Sequence, residues 1–312
     1  MYKNWTRRLA RGWGHNLMRS SLYIASQAAR HVGRVYRPVT MTSTPLSNFQ
    51  VRVVLTPSNF NYASAKSNGG DIRFYENQSF SSTLPMWVES WNYGGTSAIW
   101  VKVPSQGKST MYMTYGKPSL NSISDIDTVM ENGMQFFYFA STFASAGTGA
   151  FNSFQFAGLD PVMSTDWGSG TVSINGQGSL ADYVSIRWRG WVKPYESGNH
   201  TFYLTTDDGS RMYIAPDSSY TSNPPSWTIN SWIDQGPTEY STTVSITDGV
   251  PRYVQKEWFE TGGGATSLTG WATPSILKVY PITSGYLKAP KYDLSYSDSF
   301  GYSATVGSET SI

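Results

Sequence analysis

The sequence predicts an all-β protein: two β-sandwich (jelly-roll-like) domains behind an N-terminal amphipathic helix. Three observations lead there. From residue 36 onward, apolar residues alternate with polar ones in short runs, and clusters of Gly, Asn and Ser separate those runs. The composition is also rich in strand formers, with 15% aromatic against 14% charged residues, including 21 Tyr and 12 Trp. Period-two alternation turns one strand face inward and the other outward, and aromatic and β-branched side chains fit such half-buried surfaces. The 312 residues suffice for roughly two domains of about 150 residues.

Residues 4–32 carry the one helical pattern. Trp5, Leu9, Trp13 and Leu17 recur every four residues, and Ile24 and Ala28 continue roughly on that side. Residues 1–40 hold eight basic groups and no acid, so the remaining 15 basic groups of the 23 face all 21 acids. A basic arm (1–35) on an acidic body points to a polyanion, a membrane surface or an acidic neighbouring subunit. Trp5, Arg7, Arg8, Arg11, Trp13 and Leu17 are its candidate contacts to a membrane surface or nucleic acid. The alternative is packing on its own body or on a neighbouring copy in an oligomer. No run approaches the roughly 18 apolar residues of a membrane span. Ser20–Ala29 is too short and polar for a secretory core, so no cleavable signal is expected. An external location would then be reached by another route, such as virion assembly.

Strands follow. Phe49, Val51, Val53 and Leu55 alternate with Gln50, Arg52 and Val54; Ile72 and Phe74 with Asp71 and Arg73; Ile99, Val101 and Val103 with Trp100 and Lys102; Met111, Met113 and Tyr115 with Tyr112 and Thr114. These define a first domain, 36–139. The small residues of 140–150 read as a linker. A second series runs through 151–283: Ile186 to Val192, Phe202 and Leu204, Met212 and Ile214, Val244 and Ile246, Tyr253–Phe259, and Ile276–Tyr280. Residues 284–312 read as a Tyr- and Ser-rich tail, either an exchanged strand or a loose end.

The absence of Cys excludes disulfides, thiolate zinc sites and cysteine nucleophiles. Neither His-Glu-x-x-His nor Gly-x-Ser-x-Gly occurs, and the three His residues are scattered. Gln106-Gly107-Lys108-Ser109-Thr110 lacks the upstream glycine of a phosphate loop, Lys102 standing in its place, and reads as a turn. A non-enzymatic protein is expected.

Two resemblances attach to particular residues. Over about 35–125, the runs Tyr36–Thr40, Asn48–Val53, Gly70–Phe74, Leu84–Asn92, Ile99–Pro104 and Met113–Gly116 resemble an uncharacterised domain of prokaryotic, especially archaeal, surface proteins. Over about 151–283, Asp166–Gly170, Asp182–Val192, Glu196–Phe202, Thr206–Ile214, Glu257–Ala265 and Gly270–Pro274 resemble the protective-antigen-type lectin-like domain. That resemblance implies a β-sandwich whose sugar-binding members hold calcium through an Asp-Asp pair and a later loop. It maps the pair to Asp207 and Asp208, with a cis peptide between them, and the loop to 260–264.

Adjacent Asp207 and Asp208 would point to opposite faces of a regular strand. As neighbours they repel each other, and a hard cation with six to eight oxygen ligands removes that conflict. Candidate metal ligands are Asp207, Asp208, Glu260 and Gly262, with calcium as the expected ion. Glu260 departs from the Asn typical of that region and either adds a ligand or blocks one. The competing reading is a plain Asp-Asp-Gly turn. Candidate carbohydrate contacts are Asp207, Asp208, Thr261, Gly263, Trp227 and Trp232, with Trp271 a further ring; core or subunit packing is the alternative for the tryptophans. Trp87, Glu89 and Trp91 share one face of a strand, either as a sugar platform or as a half-buried strand with a paired Glu.

The function these features predict is a surface-exposed, calcium-dependent carbohydrate-binding protein for adhesion or host recognition. The alternatives are a structural subunit of a virion or surface appendage, and an accessory module of a secreted glycan-active enzyme.

Overall fold

A computed structural model describes residues 34–42, 47–141, 149–291 and 302–312. The helical arm, with Trp5, Arg7, Arg8, Arg11, Trp13 and Leu17, lies outside the described residues. The regular structure of the described residues is nearly all β-strand. It begins with β1 (Val35–Met41), β2 (Phe49–Leu55), β3 (Arg73–Tyr75), β4 (Met86–Ser90), β5 (Ser97–Val103) and β6 (Thr110–Tyr115), and one helical turn, α1 (Ile126–Val129). Next come β7 (Glu131–Asn132), β8 (Met134–Ala140), β9 (Phe154–Asp160), β10 (Thr165–Gly168), β11 (Val172–Ile174), β12 (Gln177–Leu180), β13 (Val184–Val192) and β14 (Gly198–Asp207). The remainder is β15 (Gly209–Ile214), β16 (Ile229–Ser231), β17 (Thr238–Ile246), β18 (Arg252–Glu260), β19 (Ala265–Ala272), β20 (Leu287–Ala289), β21 (Tyr302–Val306) and β22 (Thr310–Ser311).

The first sheet runs β3-β6-β1-β21-β2-β5-β4, with β22 also on β1. The alternation seen in the sequence holds: Val51, Val53, Ile99, Val101, Met111 and Met113 are buried in one core. Phe74 on one edge strand and Met86 on the other belong to that same core. The sheet therefore curls around its interior as one piece, where two separate sheets were expected. Of the tail expected at 284–312, residues 292–301 lie outside the described residues, and the rest carries strands. β20 pairs with β13 and β7. β21 lies inside the first sheet, antiparallel to β1 (Val39↔Val306) and parallel to β2 (Val51↔Tyr302), and buries Tyr302 and Val306.

The second unit is a sandwich. A four-stranded sheet, β10-β19-β14-β17, faces an eight-stranded sheet ordered β16-β15-β18-β13-β20-β7, to which β8 and β9 attach through β13. Trp188, Trp258, Trp271 and Phe202 fill the space between. Of the linker expected at 140–150, residues 142–148 lie outside the described residues; β8 and β9 on either side pair with each other, and β8 pairs with β13. Six of the seven residues of β8 are buried, without alternation, as suits a strand flanked on both edges and covered on both faces. Ile276–Tyr280 is not a strand; it makes one bridge, Trp271↔Val279, and leaves Leu277 90% exposed.

A buried junction joins the two units. Trp87 and Trp100 of the first sheet pack edge-on against Trp191 of the second, at 4.9 and 5.7 Å between ring centroids. Ile126, Val129 and Met130 fill in beside them. The β4–β5 register slips between Val88 and Ser90, making Glu89 a bulge residue. The slip reverses the faces beyond it, so Trp87 joins the junction while Trp91 packs on the first core. The shared face predicted for Trp87, Glu89 and Trp91 is thereby broken, and Glu89 is buried and paired. Its carboxylate takes two bonds from Arg52, both 2.7 Å, one from Trp100 Nε1 at 2.7 Å and one from the Tyr220 amide at 2.9 Å. Removing one partner of a buried ion pair leaves the other charge uncompensated. Glu89→Ala is expected to cost about 3 kcal/mol in chemical denaturation.

Lys256 is buried in the sandwich core. Its Nζ donates to Met163 O, Ser267 O and Thr269 Oγ1 at 3.0, 3.3 and 2.6 Å. Burial, the largest effect, draws its ammonium down to about 7, against the pull of Asp160. Between that value and the ordinary 10.5 the unfolded chain holds a proton the folded chain lacks, so stability rises with pH across this window. Unfolding free energy is expected to increase on the order of 2 kcal/mol from about pH 7 to 9.5, and Lys256→Met to abolish the increase in denaturant titrations at the two pH values.

Candidate metal and glycan site

Two places where the chain steps from one sheet of the sandwich to the other lie side by side. β14 ends at Asp207 in the four-stranded sheet, and β15 starts at Gly209 in the eight-stranded sheet. Asp208 alone spans the gap, and the Asp207-Asp208 peptide is cis. β18 ends at Glu260 and β19 begins at Ala265, so Thr261–Gly264 makes the return crossing. Ladder pairs Asp207↔Thr266 and Gly209↔Phe259 bring the crossings together. Position 209 admits only glycine: a Cβ there would stand 2.2 Å from Phe259 Cε1 and 3.0 Å from Ile233 N.

Asp208 is buried and fully bonded. Oδ1 accepts from the Gln235 amide at 3.0 Å, and Oδ2 accepts from Thr261 N at 2.9 Å and Thr261 Oγ1 at 2.6 Å. Asp207 differs. Its backbone carbonyl accepts from Trp258 Nε1 at 3.1 Å, while its half-exposed carboxylate has no hydrogen bond among the described residues. Burial first, then the charges of Asp208 and Asp166, push that carboxyl above the ordinary range. A Cβ on Gly264 would lie 3.0 Å from Asp207 Oδ2, so a side chain there would crowd the carboxylate.

Glu260 is buried. Its Oε1 accepts from Gly262 N at 2.8 Å, and its Oε2 has no hydrogen-bond partner among the described residues. Burial first, then Asp208, push it up to about 8. Gly262 can offer a ligand only through its carbonyl. Gly263 donates to Asp182 Oδ1 at 3.3 Å and sits at φ +110°, where glycine is needed. Thr261 spends its amide and hydroxyl on Asp208. The structure thus brings Asp207, Asp208, Glu260, Thr261, Gly262 and Gly263 to one rim. Among the described residues no three acidic or histidine side chains surround one point as a metal cage. The donor set still suits a hard oxygen-seeking cation: an unpaired carboxylate held up by two others, with the orphaned Glu260 Oε2 nearby. Such an ion would draw the rest of its shell from backbone carbonyls and ligand or water oxygens.

Sequence reasoning left Asp166 and Asp182 without a role and missed Gln235. Thr266 Oγ1 bonds Asp166 Oδ1 at 2.9 Å. Gln235 belongs to the Trp232–Pro237 loop, and nothing in its local sequence marks it. Trp232 and Trp227 are half-buried and sandwich the Arg211 guanidinium, at 4.2 and 4.3 Å from their ring centroids; Glu257 pins that arginine. One face of each ring is therefore occupied. Trp271 is a core residue, not an exposed platform.

Known proteins share parts of this chain. The family model that matches residues 131–285 is the PA14 domain. It covers the sandwich from β7 through β19 and stops just short of β20, so the matched segment is a lectin-like β-sandwich. Residues 68–153 match a domain of unknown function, DUF2341. The anti-sigma-I factor RsgI3 of Acetivibrio thermocellus is 32% identical over 128 residues, 41% of this chain. The match spans 18% of that protein's length. An anti-sigma factor domain-containing protein from Clostridium clariflavum aligns over 81% of this chain and 83% of its own at 16% identity and TM-score 0.41. The epithelial adhesin 6 A domain of Candida glabrata, solved with Galβ1-3GlcNAc, aligns over 54% of this chain and 90% of its own at 12% identity and TM-score 0.42. Such overlays are too loose to transfer individual residues. No helix among the described residues is long and apolar enough to cross a membrane.

Proposed function

We propose that this protein is a non-enzymatic, surface-exposed glycan-binding protein whose PA14 segment takes calcium at Asp207 and Asp208. The observation that carries the reading is the Asp207 carboxylate: half-exposed, without a hydrogen bond, and flanked by acids at a sheet crossing. Asp207 and Asp208 would hold the ion, with the carbonyl of Gly262 as a further candidate donor. Bound calcium would neutralise the carboxylates and offer coordination positions to sugar hydroxyls. This chain's own part is to orient and to keep the approach open. Thr261 and Gln235 lock Asp208, Gly264 leaves room beside Asp207, and the loop at 232–237, with Ile233 exposed, borders the rim.

The relative in Acetivibrio thermocellus is an anti-sigma-I factor, and its short match fits a binding segment used inside a longer protein with a different overall role. The assembly-subunit reading draws its support from the basic arm, which would place the protein on a virion or cell surface among other copies. A glycan array of the full chain, with calcium and with chelator, separates the two. Binding that needs calcium supports the lectin; an array silent in both conditions removes it and leaves assembly.

A further inference from the structure

We infer that the PA14 segment carries a second saccharide pocket, independent of calcium, built from Tyr195, Glu196, His200 and Tyr286 and sized for one hexopyranose ring. His200 and Asp207 lie seven residues apart on β14, which separates the pocket from the Asp pair by roughly 23 Å at about 3.3 Å per residue. The cavity measures about 210 Å³. That is below the roughly 300–1,000 Å³ of sites for drug-sized ligands and suits a single sugar ring.

Three features mark a built site. The first is the aromatic wall: Tyr195 meets Tyr286 at 5.3 Å, Tyr286 meets Trp271 at 4.7 Å, and Tyr195 is 52% exposed. The second is Glu196, whose Oε1 accepts from Thr273 Oγ1, from Ser275 Oγ at 2.7 Å and from Ser275 N at 3.3 Å. Those bonds fix the carboxylate and lower its pKa, and leave Oε2 to accept from a ligand hydroxyl. The third is His200, wholly buried in the pocket wall. Its Nδ1 sits 3.2 Å from Gly198 O, while its Nε2 has no partner among the described residues. A buried polar group without a partner is unfavourable, and a ligand donor or acceptor would satisfy it.

Aromatic rings beside a carboxylate could also cage an organic cation. Here the Lys193 ammonium already lies 5.4 Å from the Tyr195 ring centroid, and a second cation would meet it as a like charge. A neutral sugar ring brings hydroxyls that both donate and accept, and an apolar face for the tyrosines.

The test is saturation-transfer NMR on the full chain in excess chelator, with the methyl glycosides of glucose, galactose and mannose and with tetramethylammonium as probes. At least one methyl hexoside is expected to show transfer and to shift the His200 imidazole resonance. The effect should persist in Asp207→Asn/Asp208→Asn, which separates this pocket from the calcium reading. It should fall at least fivefold in Tyr195→Ala, whose exposed ring leaves the fold intact, and in Glu196→Gln. No transfer from any hexoside, transfer that survives Tyr195→Ala, or transfer from tetramethylammonium alone would overturn the inference.

Discussion

Calcium-dependent glycan binding is expected to fall by about 100-fold or more in the Asp207→Asn/Asp208→Asn variant, a loss of about 2.7 kcal/mol. Amide oxygens keep the shape of the carboxylates but carry no net charge, and a hard cation binds through charge as well as oxygen count. The two positions should contribute unequally. Asp208 already serves Gln235 and Thr261, and its Oδ2 takes two bonds, so Asp208→Asn also breaks the link between the crossings. Asp207 has no such duties, and Asp207→Asn should remove calcium affinity while leaving the apo-protein as stable as before or slightly more so, since burial and like charge now hold that carboxyl up. Calorimetric calcium titration beside thermal melting checks both parts. A single Asp207→Asn variant with undiminished calcium affinity would refute the assignment.

Deleting residues 302–312 should unfold the first sheet and spare the PA14 segment. The deletion removes β21 from between β1 and β2, the middle of the sheet rather than an edge. The facing backbone groups of both neighbours lose their partners, at about 1–3 kcal/mol for each group left unsatisfied. The core also loses Tyr302, whose ring meets Phe49 at 4.9 Å, and Val306. Near-ultraviolet circular dichroism and hydrogen exchange should show residues 35–115 unprotected. A synthetic peptide of residues 302–312 added in trans should restore them by strand addition. A truncated chain with full protection in β1 and β2 would show that the sheet closes without its last strand.

Much of the fold was legible because alternation is a local signal. β2, β5, β6 and β14 each show it over the stretch where one face meets a core. β8 escaped notice because a strand covered on both faces does not alternate. β21 was taken for a tail because its partners lie more than two hundred residues away. The paired Glu89 was one of the two readings open in the sequence, but the face shared with Trp91 was not realised, because one extra residue in β4 inverts the faces beyond it and no local pattern announces a bulge. At the rim, Asp207, Asp208 and the glycine loop were readable through the resemblance to a known domain. The Gln235 contact was not, since it depends on how a long loop returns.

The position of β21 also bears on the order in which the molecule is made. The PA14 sandwich is contiguous, from β7 to β20, and all its partners have been synthesised once residue 289 is out. The first sheet, begun before it, must wait for residues 302–306 before β1 and β2 can be joined. Domains generally fold as units during synthesis at about 5–20 residues per second, so the early strands stay unsealed for on the order of ten seconds or more. Throughout that interval β1 and β2 present open, apolar-faced edges, and a chain released before residue 302 never covers them. Synthesis through β21 is thus itself the condition for closing the first sheet.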